Sequence, residues 1–263
     1  MAKHGTRLRS GDSGFIMFMR MRSGLSMRTP QRLSSFLSAR PGWVRSLPFA
    51  VFLIFLAAEN HFATLQDHLP FLAGWDGRWL YAAKTLATAL LLALLWPAFA
   101  ELKRRPAGAA NWIWTLAAGL GVFWLWIHLT QPWATLGKPE AGFDPRDADG
   151  RMNWALALFR VGGAALVVPL MEELFWRSFI MRWIKRGNFL AVDPAQVGVK
   201  ALAMSSALFA VEHTLWLAGL LAGLAYGLLY MKTRNLWFPV IAHAVTNGTL
   251  GLWVLATGNW QFW

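Results

Sequence analysis

Three short groups of residues in the C-terminal half of this chain have the types and spacings that hydrolytic chemistry needs. Glu172, Glu173 and Arg177 form the first, Phe209 and His213 the second, His243 and Asn247 the third. Residues four apart on a helix share a face, so Glu173 can pair with Arg177 in the favourable order, acid before base. At 3.6 residues per turn Glu172 then points about 100° away, which leaves one carboxylate neutralised and another available. Hydrolysis of any bond requires a water, a base to take its proton, donors for developing negative charge and an acid for the leaving group. A carboxylate withdrawn from water, two imidazoles and an uncharged amide donor can supply all four. Glu172, His213 and His243 also have the donor types that bind zinc with an open position, although no His-Glu-x-x-His helix is present.

Each group has a plainer reading. A Glu–Arg pair at this spacing is commonly structural, intramembrane histidines commonly hydrogen-bond between helices, and Phe209 taken alone is packing. Glu212 adjoins His213 but lies about 100° round a helix from it, as an outward interfacial charge or as a support for the site. Arg160 can snorkel from its helix to the surface. Glu59, His61, His68 and His128 fall near expected helix ends, where solvation is cheap, and receive no role.

The elements that must position these residues belong in a membrane. Of 263 residues 56% are hydrophobic and 14% charged, against roughly a quarter charged in a soluble domain. The expected fold class is all-α, a polytopic transmembrane bundle of seven to eight spans. Seven apolar stretches approach the roughly 20 residues that a ~30 Å hydrocarbon core demands: 47–65, 79–99, 111–131, 154–184, 199–214, 216–231 and 236–257. Glu172, His213 and His243 would lie roughly 10 to 20 Å from one end of their spans, at a common depth. Pro169 lacks an N–H and is expected to bend the fourth span beside Glu172.

Loop charges orient the bundle, since Lys and Arg gather on the cytoplasmic side. Lys103, Arg104 and Arg105, then Arg182, Lys185 and Arg186, then Lys232 and Arg234 alternate with loops that are not basic. The N-terminus is therefore expected in the cytoplasm, and Trp260, Phe262 and Trp263 at an interfacial aromatic belt outside. Residues 1–46 carry nine Lys or Arg against Asp12, most of the net charge of +12. They read as a basic arm, disordered or surface-bound, that faces anionic lipid headgroups and not nucleic acid. An uncleaved first anchor is expected in place of a signal peptide, and Met17, Met19, Met21 and Met27 leave the start codon open. Residues 47–263 form a single transmembrane domain. With no cysteine, thiolate and disulfide chemistry is absent.

In that order and at membrane depth, Glu172-Glu173-x-x-x-Arg177, Phe209-x-x-x-His213 and His243-x-x-x-Asn247 resemble the three motifs of the CAAX-protease and bacteriocin-processing family. These are intramembrane endopeptidases related to the eukaryotic type II CAAX prenyl protease. The resemblance covers about residues 150–250. The wording from Val168 to Arg177 is further similar to a bacterial subgroup linked to exosortase protein sorting. The resemblance implies that Glu172 with His213 activates water, that His243 and Asn247 stabilise the oxyanion, and that no metal or other cofactor is required. Glu173 and Arg177 would then be architectural, and Phe209 would wall the groove. It further implies a protein or peptide substrate cut near its C-terminus or at a membrane segment, and a bacterial cytoplasmic membrane as the setting. The alternatives are a zinc protease using the same residues, or a non-catalytic scaffold or immunity protein that binds a peptide or partner helix. A transporter fits less well, because the charges converge on one locus.

Overall fold

The computed structural model describes residues 1, 37, 39–137 and 142–263. Most of the basic arm, the methionines at 17, 19, 21 and 27, and residues 138–141 lie outside the described residues. The helical bundle is the unit Gly42–Trp263, separate from Met1–Pro41. Among the described residues there is no β-strand, only the bridge between Arg146 and Met152.

The chain is an all-α polytopic bundle built from α1 (Pro41–Asn60), α2 (Phe62–His68), α3 (Trp79–Leu95), α4 (Ala109–His128), α5 (Trp154–Lys185), α6 (Val199–Ala210), α7 (Trp216–Thr233) and α8 (Trp237–Thr257). Five helices, namely α1, α3 with the 3₁₀ turn that continues it, α4, α5 and α8, are long and apolar enough to cross a membrane. They carry exposed apolar faces, such as Leu86, Leu90 and Leu94 on α3 and Ile113, Leu116 and Leu120 on α4. Such faces on helices of spanning length suit a lipid surrounding, and the chain is a multi-pass membrane protein.

Three spans differ from the sequence expectation: 216–231 forms α7, Trp216–Thr233, which is not among those five helices, and two others differ in their ends. The first helix starts at Pro41, before the expected edge at 47, and stops at Asn60, with α2 as a separate short helix. The fifth stops at Ala210, so α6 has 12 residues, about 18 Å at 1.5 Å per residue and too short for a ~30 Å core. Residues 211–215 form a turn, which places His213 on a turn and not on the helical face shared with Phe209. Irregular backbone is tolerated within a bundle where it lines a cavity.

Close helix approach is made by small residues. On α7, Gly219, Gly223 and Gly227 recur every four residues and face α6: a Cβ on Gly223 would sit 2.9 Å from Ser206 Cα, and one on Gly227 2.3 Å from Leu202 Cδ1. On α4, a Cβ at Gly119 would lie 2.7 Å from the Ala242 carbonyl oxygen of α8. These contacts bring α4, α6, α7 and α8 within reach of one another's polar groups, as small-residue stripes do in membranes.

Where α1 begins, Arg45 is buried and pairs with Glu101 at 2.6 Å. Ser178 Oγ donates to the same carboxylate, and Arg182 Nη2 lies 3.6 Å from it. Arg45 is thus drawn into the bundle and does not belong to the headgroup-facing arm. Burial pushes the Glu101 carboxyl up, but the hydrogen bonds from Arg45 and the Arg45 charge outweigh that and hold it below its ordinary 4.5. A carboxylate with a lowered folded value contributes stability above its unfolded value and loses it as pH falls through the folded one. Heat-denaturation midpoints in detergent are therefore expected to be flat above pH 4.5 and to fall below it. Glu101→Gln should lower the neutral-pH midpoint and flatten that acid limb.

Candidate active site

Helix α5 carries Glu172 through an interruption of its own hydrogen-bond ladder. Gly163–Val167 and Glu173–Ile180 are π-helical, on either side of the α-helical stretch Val168–Glu172. In the first π segment Val168 N–H donates to Gly163 O, five residues back. The next such bond would run from residue 169 to Ala164 O, but proline has no N–H. Asn247 Nδ2 of α8 donates to that vacated carbonyl at 2.8 Å. The bend expected at Pro169 is realised as a π-bulge, a device common at functional sites, and its free carbonyl docks α8.

The arrangement converges on one cavity of about 200 Å³, whose lining includes Glu172, Phe209, His213, His243 and Asn247. Glu172 is buried, and its Oε2 has no hydrogen-bond partner in the protein. Glu173 and Arg177 lie behind the lining. Arg177 Nη1 donates to Glu173 Oε1 at 3.0 Å, with Glu173 0% and Arg177 2% exposed. The Arg177 guanidinium covers the Phe209 ring at 4.3 Å, and that ring lies 4.7 Å from the His213 ring and 6.3 Å from that of His243.

Hydrogen bonding sets both imidazoles. His213 Nδ1 is 2.8 Å from Phe209 O; a carbonyl only accepts, so Nδ1 carries the proton and neutral Nε2 is a base. His243 Nδ1 is 3.0 Å from Glu173 Oε1, the oxygen that also accepts from Arg177, so the same tautomer follows. Glu173 therefore both pairs with Arg177 and orients His243, a role that helix spacing did not indicate.

Several contributors were not singled out from the sequence. Tyr226 stacks on His243 at 5.0 Å between centroids. Its hydroxyl is 2.7 Å from Thr246 Oγ1, which spends its single proton on backbone carbonyls, Gly119 O at 2.7 Å or Ala242 O at 3.2 Å, so Tyr226 is the donor. Thr246 also lines the cavity, one residue before Asn247. Lys84, buried within α3, pairs with Glu59; a lysine inside an apolar stretch was the available signal for both. Glu212 is exposed, and its carboxylate accepts from Trp176 Nε1 at 3.0 Å, tying the 211–215 turn to α5. Arg160 does not snorkel outward: it lines the cavity and lies 4.5 Å from the Tyr81 ring. Phe262 and Trp263 line the cavity as well, where an interfacial belt was expected. Among the described residues no three His, Asp or Glu side chains are grouped as a metal site requires.

Fold and cavity together define a class: a multi-pass helical membrane protein with a carboxylate, two imidazoles and an amide gathered on one buried hollow. Residues 153–249 match the family described as type II CAAX prenyl endopeptidase, Rce1-like. The match covers well under half of the chain but contains all three motifs, and it supports the family they resemble, a family of proteases. No curated protein and no solved structure matched.

Proposed function

We propose that this protein is an intramembrane endopeptidase in which Glu172 is the general base that activates a water. The observation that carries the reading is the shared cavity of Glu172, His213, His243 and Asn247, with a Glu172 oxygen that no protein group satisfies. Water held between that oxygen and His213 Nε2 gives its proton to Glu172 as its oxygen attacks the substrate carbonyl carbon. The tetrahedral oxyanion takes the Asn247 amide hydrogen that Ala164 leaves free. Glu172 then passes its proton to the amide nitrogen as the C–N bond breaks.

The resemblance implies His243 as an oxyanion donor; its geometry favours another role. With Nδ1–H committed to Glu173, neutral Nε2 can only accept, so His243 is an alternative to His213 as acceptor of the one water hydrogen that Glu172 does not take. Glu173, Arg177 and Tyr226 hold it there.

The loop-charge asymmetry supports a cytoplasmic N-terminus, and the wording around Glu172 supports a bacterial inner membrane and a precursor with a C-terminal sorting tail as substrate. The test is to express wild type and Glu172→Gln in native membranes and compare the C-termini of membrane and exported proteins by mass spectrometry. Termini present with wild type and missing with the variant are expected. Identical termini would favour a scaffold, which tolerates a near-isosteric change. Loss of cleavage with phenanthroline, restored by zinc, would replace the metal-free mechanism.

A further inference from the structure

A second hollow, of about 530 Å³, adjoins the first and shares Tyr81, Arg160 and Trp263 with it. Five charged residues line it: Glu59, Arg78, Lys84, Asp144 and Arg160. Four are paired within the protein, Glu59 with Lys84, Arg78 with Asp76, and Asp144 with Arg146. Arg160 has no ion pair among the described residues, and its Nε is buried without a hydrogen-bond partner. Tyr81 and Phe143 lie at 4.5 and 5.7 Å from its guanidinium carbon. Aromatic contacts of this kind hold the cation through its π-system and leave the N–H edge for a planar anion. Arg160 is half-buried, with only its Nε fully enclosed; a cation lining a hollow without a counter-ion is free to take one, and a carboxylate is the partner its donor fork fits.

We propose that Arg160 receives the C-terminal carboxylate of the peptide substrate, so that the enzyme sets its cleavage point by measuring from the chain end. The proposal rests on the endopeptidase reading for its consequence, but binding can be read without it. Glu172 lies twelve positions after Arg160 on α5, at most about 18 Å along the axis at 1.5 Å per residue, since the π-helical stretch Gly163–Val167 between them is wound wider and rises less per residue. An extended peptide covers about 3.5 Å per residue, so a tail of about five residues lies between the attacked bond and the terminal carboxylate.

The probe is a pool of apolar peptides of ~25 residues, long enough to span a bilayer, made in pairs that differ only in a free carboxylate or an amide at the C-terminus. Binding is read by fluorescence anisotropy on the Glu172→Gln variant in nanodiscs, and cleavage by mass spectrometry on wild type. Acid forms are expected to bind about thirtyfold more tightly than amides, the scale of a charge-assisted, hydrogen-bonded pair. The acid-over-amide ratio should fall near one in Arg160→Gln and be partly kept in Arg160→Lys, with the change in KM and not kcat. Released tails should cluster near five residues. Equal binding of acid and amide to the protein with Arg160 intact would overturn the proposal whatever the variants' folding, while cleavage by wild type left the endopeptidase reading standing. An acid preference without cleavage would do the reverse. A preference that vanishes when phosphatidylglycerol replaces neutral lipid would assign Arg160 to a headgroup and also overturn it.

Discussion

Glu172→Gln is expected to lower kcat by about 10³-fold, the scale of a positioned general base, without loss of folded protein. Glutamine occupies nearly the same volume, so the cavity and helix packing are preserved. The wild-type carboxylate is buried and its Oε2 has no partner within the protein; placing a charged oxygen there costs more than placing a neutral amide. The variant should therefore denature at the same temperature as wild type or a higher one, the pattern of a residue kept for chemistry at some cost in stability. Peptide affinity should change little, because the lost interaction belongs to the transition state. Purified protein, a cleavable peptide and a thermal-shift assay check all three. Full activity in the variant would remove Glu172 from the mechanism, and a collapse in stability would make its role structural.

The second large effect concerns the ion pair behind the cavity. In Arg177→Met the carboxylate of Glu173, with no exposure at all, keeps His243 as its remaining polar partner. Removing one member of a buried pair costs about 3–5 kcal/mol, whereas replacing both with neutral groups is often nearly neutral. Arg177→Met should consequently denature well below wild type, and Glu173→Gln/Arg177→Met should recover most of the loss. The double variant should still be slow, because a glutamine oxygen accepts from His243 Nδ1–H more weakly than a carboxylate does. Heat denaturation in detergent measures the first effect and single-turnover cleavage the second. Recovery of both stability and rate would mean that the pair holds the helix but does not orient His243. Recovery of neither would place Arg177 in some contact beyond Glu173.

The amino-acid sequence by itself determined the membrane setting, the approximate spans and the residues that gather at the site. Apolar runs report burial in lipid whatever packs beside them, and helical spacing decides that Glu173, and not Glu172, meets Arg177. It also carried Pro169, though as a bend and not as a π-bulge. Tertiary structure decided what depends on a second element. The end of α6 at Ala210, which puts His213 on a turn, accompanies α7 packed close through its glycines. The tautomers of His213 and His243 follow from single acceptors, Phe209 O and Glu173 Oε1, one of them seventy positions away. Asn247 finds its partner in a carbonyl left vacant by a proline on another helix, and Arg160 turns inward because Tyr81 of α3 stands beneath it. Periodicity along one chain reports which face a residue occupies. Which atom it meets is set by how the faces dock, and in a membrane that docking rests on small residues and polar pairs that leave no trace in a hydropathy pattern.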